Sequence, residues 1–242
     1  MKRTITKGSP GWRELFYDND VTNAMTPAHD FDSVNVLGDI SALLDQDRPK
    51  VLVVGTRDAH AHESAMVGRI IEALSRNPWK PVVISGLALG TDTFVHRSAL
   101  EHGLATVAVL PNGVGDDVYP RINRELAEQI ASTPGCALLS QFPDGTAPMA
   151  VNFILRNKTM TMISDIAVIV ATKEKGGSMI CARMMDERNR RVFAVPGRPD
   201  DIRSRGCNEL ISQGVAEIYT ESHTVPFLQN LCVMRKSNEY FY

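Results

Sequence analysis

The 242-residue sequence predicts an α/β fold, a mainly parallel sheet with helices on both faces. Two observations lead there. From Pro49 to Tyr219, short runs of valine, isoleucine and leucine alternate with stretches whose apolar residues recur at helical spacing. Such alternation builds βαβ units, which make neighbouring strands parallel and cover both faces of the sheet. In addition, three strand ends run into turns that carry glycine with serine or threonine and a cation or a following helix. Open α/β sheets present backbone N–H groups to a ligand in this way, beyond the carboxyl ends of their strands.

The elements follow in order. Residues 1–48 are weakly periodic, punctuated by Pro10-Gly11 and Thr26-Pro27, and read as an N-terminal extension covering an edge of the core, with one helix over 34–44. The core spans 49–222. Residues 51–54 form a strand, and 64–75 a helix with Met66, Val67, Ile70, Ile71 and Leu74 on one face. Strand 82–85 precedes helix 92–102, strand 106–110 precedes helix 122–132, and 136–140 is a short strand. Helix 153–164, strand 166–171, helix 178–189 and strand 192–195 come next, then a short helix over 207–212 and a last strand over 217–219. Residues 223–242 read as a tail, loose around Arg235.

Composition sets the outer limits. No apolar run approaches the roughly 20 residues that span a bilayer, and Gly8-Ser9-Pro10 stands where a signal peptide needs its apolar segment, so a cytoplasmic chain without membrane contact is expected. Cys136, Cys181, Cys207 and Cys232 form no CxxC pair and read as reduced thiols. The formal net charge of -2 does not by itself mark a nucleic-acid binder. Residues 183–205 do set seven arginines against four carboxylates, either a basic patch or a solvated charged face.

Several candidate chemistries can be weighed. Gly86-Leu-Ala-Leu-Gly90 lacks the spacing of a dinucleotide fingerprint, and Lys175 precedes Gly176-Gly177 where a P-loop needs it after them, so neither cofactor is expected. His60-Ala-His62-Glu63 is a poor metal set with no evident third ligand, and reads as a helix start. Asp92 and His96 stand one helical turn apart and read as shaping the glycine loop; no nucleophile elbow accompanies them, so no catalytic residue is assigned. Asn152-Phe153-Ile-Leu-Arg156-Asn157-Lys158 opens a helix with a ring that can stack a base and two cations that can hold phosphates.

Taken in order, these segments resemble the DprA (Smf) family of DNA-processing proteins. The resemblance rests on Val54-Gly-Thr-Arg57, Ser85-Gly-Leu-Ala-Leu-Gly-Thr-Asp92 with His96, Tyr119-Pro120, Phe142-Pro143, Asn152-Phe153, Arg156-Asn157-Lys158, Gly177-Ser178, Phe193-Ala-Val-Pro-Gly197 and Arg205-Gly-Cys-Asn208. It implies an extended Rossmann-like fold, binding of single-stranded DNA without sequence preference, no catalysis, no cofactor, a homodimer, and delivery of the strand to the RecA recombinase in natural transformation or recombination. The expected DNA-binding rim comprises Gly55, Thr56 and Arg57; Ser85, Gly86 and Gly90; Asn152, Phe153, Arg156 and Lys158; and Gly177 and Ser178. The sequence departs from the family pattern at Leu89, where a cation is common, and at Lys158, where arginine is usual. The alternative is a hydrolase of nucleoside monophosphates of the LOG class, or a nucleotide sensor. The former needs a glutamate after the late glycine turn, which Glu174-Lys-Gly-Gly-Ser-Met lacks.

Overall fold

A computed structural model describes residues 1–16 and 31–238, with backbone alone from 231. The expected punctuation at Thr26-Pro27 and the Cys232 thiol therefore lie outside the described residues. The strands are β1 (Lys2–Thr6), β2 (Ser33–Gly38), β3 (Lys50–Val54), β4 (Val82–Ser85), β5 (Thr106–Val109), β6 (Ala137–Ser140), β7 (Ile166–Ile169), β8 (Val192–Ala194) and β9 (Glu217–Ile218). They form one sheet in the order β1-β2-β6-β5-β4-β3-β7-β8-β9. All pairings from β6 through β9 are parallel, while β1–β2 and β2–β6 are antiparallel. The sheet is thus Rossmann-like and mostly parallel, as expected, with an antiparallel addition from the N-terminal segment.

That addition differs from the helix expected over 34–44. Val34 and Val36 alternate with half-buried Ser33 and Asn35, a period of two that fits one face of a strand. Gly38, at φ +115°, then turns the chain where a Cβ would lie 2.7 Å from the Cys136 carbonyl oxygen. Only the single turn α2 (Ser41–Leu44) is helical, after α1 (Pro10–Leu15), which Ser9 caps by accepting from the Trp12 N–H.

The helices of the core are α3 (Ala61–Ser75), α4 (Thr91–Glu101), α5 (Arg124–Ser132), α6 (Ala150–Met162), α7 (Gly177–Asp186), α8 (Arg205–Ser212) and α9 (Glu221–Asn238). Strand alternation sorts them onto two faces. Val51, Val53, Val83, Ile166, Val168 and Phe193 point toward Val67, Ile70, Ile71 and Leu74 of α3 and Val95 and Ala99 of α4. Their neighbours Leu52, Val54, Ile84, Val107 and Val109 point toward Met160 and Met162 of α6, Cys181, Ala182 and Met185 of α7 and Leu210 of α8. Each fully buried aliphatic side chain contributes roughly 1.5–3 kcal/mol.

The C-terminal segment expected as a tail is helical as α9, with Pro226 inside it. The apolar residues over 210–228 are largely internal. Leu210 and Leu228 are buried, and Ile211, Val215, Tyr219 and Phe227 pack on the core, leaving Ile218 as the large exposed side chain there. No helix among the described residues is long and apolar enough to cross a membrane.

Candidate functional site

In the strand order, β3 has β4 on one side and β7 on the other, so successive connections diverge between β3 and β7. Crevices in open α/β sheets form at such a switch point. Here a cleft of about 490 Å³ lies between the turn after β3 (Gly55, Thr56, Arg57, Asp58), the turn after β7 (Thr172, Lys173, Lys175, Gly176) and the outer side of α6.

The N-terminus of α7 opens into it. Gly176 precedes the helix with no side-chain cap, and the first turn carries no acidic residue. Its leading N–H groups and the helix dipole favour an anion at this point. Ser178 contributes less than expected through its hydroxyl, which donates to the Gly55 carbonyl at 2.9 Å and ties the two turns together. Arg57 is exposed, forms no ion pair with a described residue, and lies 5.1 Å from the centre of the Phe153 ring. Tyr119 meets the same ring edge to face at 5.6 Å. Lys175 is exposed and also unpaired among the described residues, while Lys173 is 3.7 Å from Asp58. Lys173 and Lys175 were not among the expected rim residues. Their position just before a helix-opening Gly-Gly pair is the signal that points to them.

The second glycine turn behaves differently from the first and third. Its amides are already bound: Gly86 and Ala88 donate to one oxygen of Asp92 at 3.2 and 3.3 Å. Thr91, at the start of α4, donates to the Thr56 carbonyl through both its N–H and its hydroxyl. Gly90, at φ +72°, lets the chain pass where a Cβ would lie 2.5 Å from the Arg57 carbonyl oxygen. Ser85 is fully buried, donating to the Val53 carbonyl at 2.8 Å. Of the expected rim groups here, the Gly86 amide and the Ser85 hydroxyl thus already have internal partners. This turn frames the β3 turn, and Asp92 holds two of its amides.

Arg156 is likewise a framework residue. It is 4% exposed, and one guanidinium nitrogen donates to the carbonyls of Gly86 and Val109. Burial lowers its pKa and raises that of Asp92, each partly offset by the other's charge. His96 does not pair with Asp92. Its Nδ1 lies 2.8 Å from the Thr106 hydroxyl, and burial followed by the Arg156 charge pushes its pKa down to about 3. Asn152 is buried, with its amide donating to the Ala147 carbonyl, and Lys158 lies outside the cleft lining.

Two other sequence features resolve into structure. His60 and Glu63 form a helix start, the His60 N–H donating to the Glu63 carboxylate at 2.7 Å. The basic run over 183–205 is largely paired: Arg191 with Glu217, Arg198 with Asp200, and Arg203 with Asp201, while Arg190 donates to carbonyls at the end of α6.

A family model described as DNA recombination-mediator protein A matches residues 33–228. The chain is 35% identical over 191 residues to protein Smf of Synechocystis, covering 79% of this chain and 47% of that protein. It is 34% identical over 215 residues to DNA processing protein DprA of Bacillus subtilis, covering 89% and 66%. It spans about half to two-thirds of the length of these curated relatives. Among solved structures, the DNA processing protein A of Helicobacter pylori, described for its single-stranded DNA binding mode, aligns with a TM-score of 0.76 at 25% identity, covering 95% of this chain and 96% of that one.

Proposed function

Because the chain belongs to the DNA recombination-mediator protein A family, we propose that it binds single-stranded DNA without catalysing a reaction on it, and passes the strand to a RecA-type recombinase in DNA uptake or recombination. One observation carries the reading. At the β3/β7 switch point, the exposed cations Arg57 and Lys175 and the uncapped start of α7 line one cleft with Phe153, which packs against Tyr119 at its rim. Cations and amides suit backbone phosphates, and aromatic rings suit unpaired bases. The H. pylori relative's described binding of single-stranded DNA supports the same assignment. A non-catalytic role agrees with the groups nearest to chemistry: Asp92 is bound to two amides, and His96 is buried and neutral.

The DNA contacts in this reading come from Thr56, Arg57, Phe153, Lys173, Lys175, Gly177 and the N–H of Ser178, with Gly55, Ser85, Gly86, Gly90, Asn152 and Arg156 holding them in place. A homodimer working in the cytoplasm completes the proposal, the second copy extending the strand's path.

The test is a fluorescence titration of labelled oligonucleotide, single-stranded against duplex, across salt concentrations. With three to four phosphates neutralised, log affinity should fall against log salt with a slope of about -2 to -3, at about -0.7 per contact on single strands. Equal affinity for duplex, or affinity that ignores salt, refutes the reading. Repeated turnover of a nucleoside monophosphate would move it to the hydrolase class. Light scattering decides the dimer, and a strictly monomeric mass rules it out.

A further inference from the structure

The cleft that offers cations to phosphate also carries an exposed carboxylate. Asp58 follows Arg57 in the β3 turn and lines the cleft together with Lys173 and Lys175. The other lining carboxylate, Asp92, is buried and accepts from two amides. Beside a phosphate path, a carboxylate in the open repels the ligand.

Asp58 has two partners of different kind. One of its oxygens lies 3.7 Å from the Lys173 ammonium on the β7 turn. The other lies 3.5 Å from Nε2 of His60, at the start of α3. All three side chains are exposed, so each contact is weak and exchanges readily with water and ligand. Lys173 is permanently cationic at neutral pH, whereas histidine is the side chain whose charge ordinarily changes between pH 5 and 8. One carboxylate charge is therefore shared between a constant partner and a switchable one.

Resting on the single-stranded DNA reading above, we propose that Asp58 is a built-in competitor for the backbone phosphate that Lys173 receives, and that His60 relieves the competition when it is protonated. With a neutral imidazole, Asp58 is the counter-ion of Lys173, and a phosphate seating there displaces it. An imidazolium draws the carboxylate charge to itself, the hold on Lys173 loosens, and the phosphate meets less competition. Affinity for the strand rises with acid through Asp58, beyond what an added cation does by its own attraction. Other charges surround this pair. Glu63 accepts from the His60 N–H, Arg203 lies 3.7 Å from Glu63 and pairs with Asp201, and His62 stands two residues further along. His96 is held neutral over the whole range, since burial and then the Arg156 charge push its pKa down to about 3.

The experiment titrates labelled oligonucleotide at low salt, at about pH 8 and about pH 5.5, on either side of the histidine range. Asp58→Asn, which keeps size and removes the charge, is measured in wild type, in Lys173→Ala and in His60→Gln. The Asp58 backbone amide, which donates to the Thr56 hydroxyl, is untouched by the change. At about pH 8 Asp58→Asn should bind about two- to fivefold more tightly than its parent, the worth of an exposed ion pair. In Lys173→Ala that gain should vanish. At the acid pH it should shrink toward one where His60 is present and persist in full where His60 is glutamine. A gain that survives Lys173→Ala means plain repulsion of the strand and overturns the proposal. So does weaker binding by Asp58→Asn, or a gain with the same pH dependence with and without His60. Failure of wild type to bind the strand at any salt overturns the DNA reading and this device with it, whereas failure of the coupling alone leaves that reading standing.

Discussion

Replacing Arg156 by alanine should damage the fold before it damages a ligand contact. The side chain is 4% exposed, and its guanidinium donates to the carbonyls of Gly86 and Val109, which end neighbouring strands β4 and β5. Removing it leaves two buried acceptors without a donor, each costing roughly 1–3 kcal/mol. It also removes the cation that lowers the pKa of buried Asp92. Against this, the burial cost of the guanidinium itself disappears, and water can enter from the cleft. The net is a loss of about 3 kcal/mol, which for a chain of this size lowers Tm by about 6–12 °C. Arg57→Ala is the control. That side chain is exposed and stacked on Phe153 at 5.1 Å, so its stability change should stay within about 1 kcal/mol while DNA affinity falls. Calorimetric melts and oligonucleotide titrations on both variants decide. If Arg156→Ala melts within about 2 °C of wild type yet loses affinity as Arg57→Ala does, the guanidinium acts on DNA and the framework argument is wrong.

Three further outcomes follow from the same geometry. His96 has a folded pKa of about 3 against 6.5 unfolded, so it lends stability above pH 6.5 that drains away as pH falls toward 3, up to about 5 kcal/mol in all; His96→Gln should flatten the fall of Tm with acid, and an unchanged profile counts against it. Gly86→Ala places a Cβ 1.6 Å from the Arg156 guanidinium and should lower Tm at least as far as Arg156→Ala, whereas Gly145→Ala, where a Cβ meets nothing within 4 Å, should cost only the strain of φ +86°, about 1 kcal/mol. Lys175→Ala should leave Tm within about 2 °C and reduce the salt slope of DNA binding by about 0.7, and an unchanged slope would remove Lys175 from the phosphate path.

The alternation of strands and helices from residue 49 onward was legible because strands buried on both faces read as unbroken apolar runs, which differ sharply from the 3.6 period of the helices. Over 34–44 the two periods overlap. Val34, Leu37 and Ile40 satisfy helical spacing as well as Val34 and Val36 satisfy a strand, and only the backbone turn at Gly38 separates them. At the site, the exposed cation Arg57 and the helix-opening Gly177-Ser178 could be read from local sequence, since both face the cleft through their own backbone or surface. The second glycine turn could not. Its amides are taken by Asp92, six residues from Gly86, and sequence pattern does not show which acceptor a loop amide finds. Arg156 read as a phosphate ligand for the same reason: a cation on a helix looks alike in sequence whether it faces solvent or two carbonyls from distant strands.

The switch point has a consequence for how the molecule becomes competent. The β3 turn and the β7 turn are adjacent only because α6 carries the chain back across the sheet before β7 pairs with β3. A chain folding as it is synthesised builds one wall early and has no second wall until the residues of the α7 start have emerged. A strand seated there fastens the first-made half to the last-made half. At a hundredfold excess over Kd such a ligand adds about 2.7 kcal/mol to the cost of separating them. Bound DNA should therefore slow hydrogen exchange in β3 and β7 together, as one unit, rather than in the loops alone.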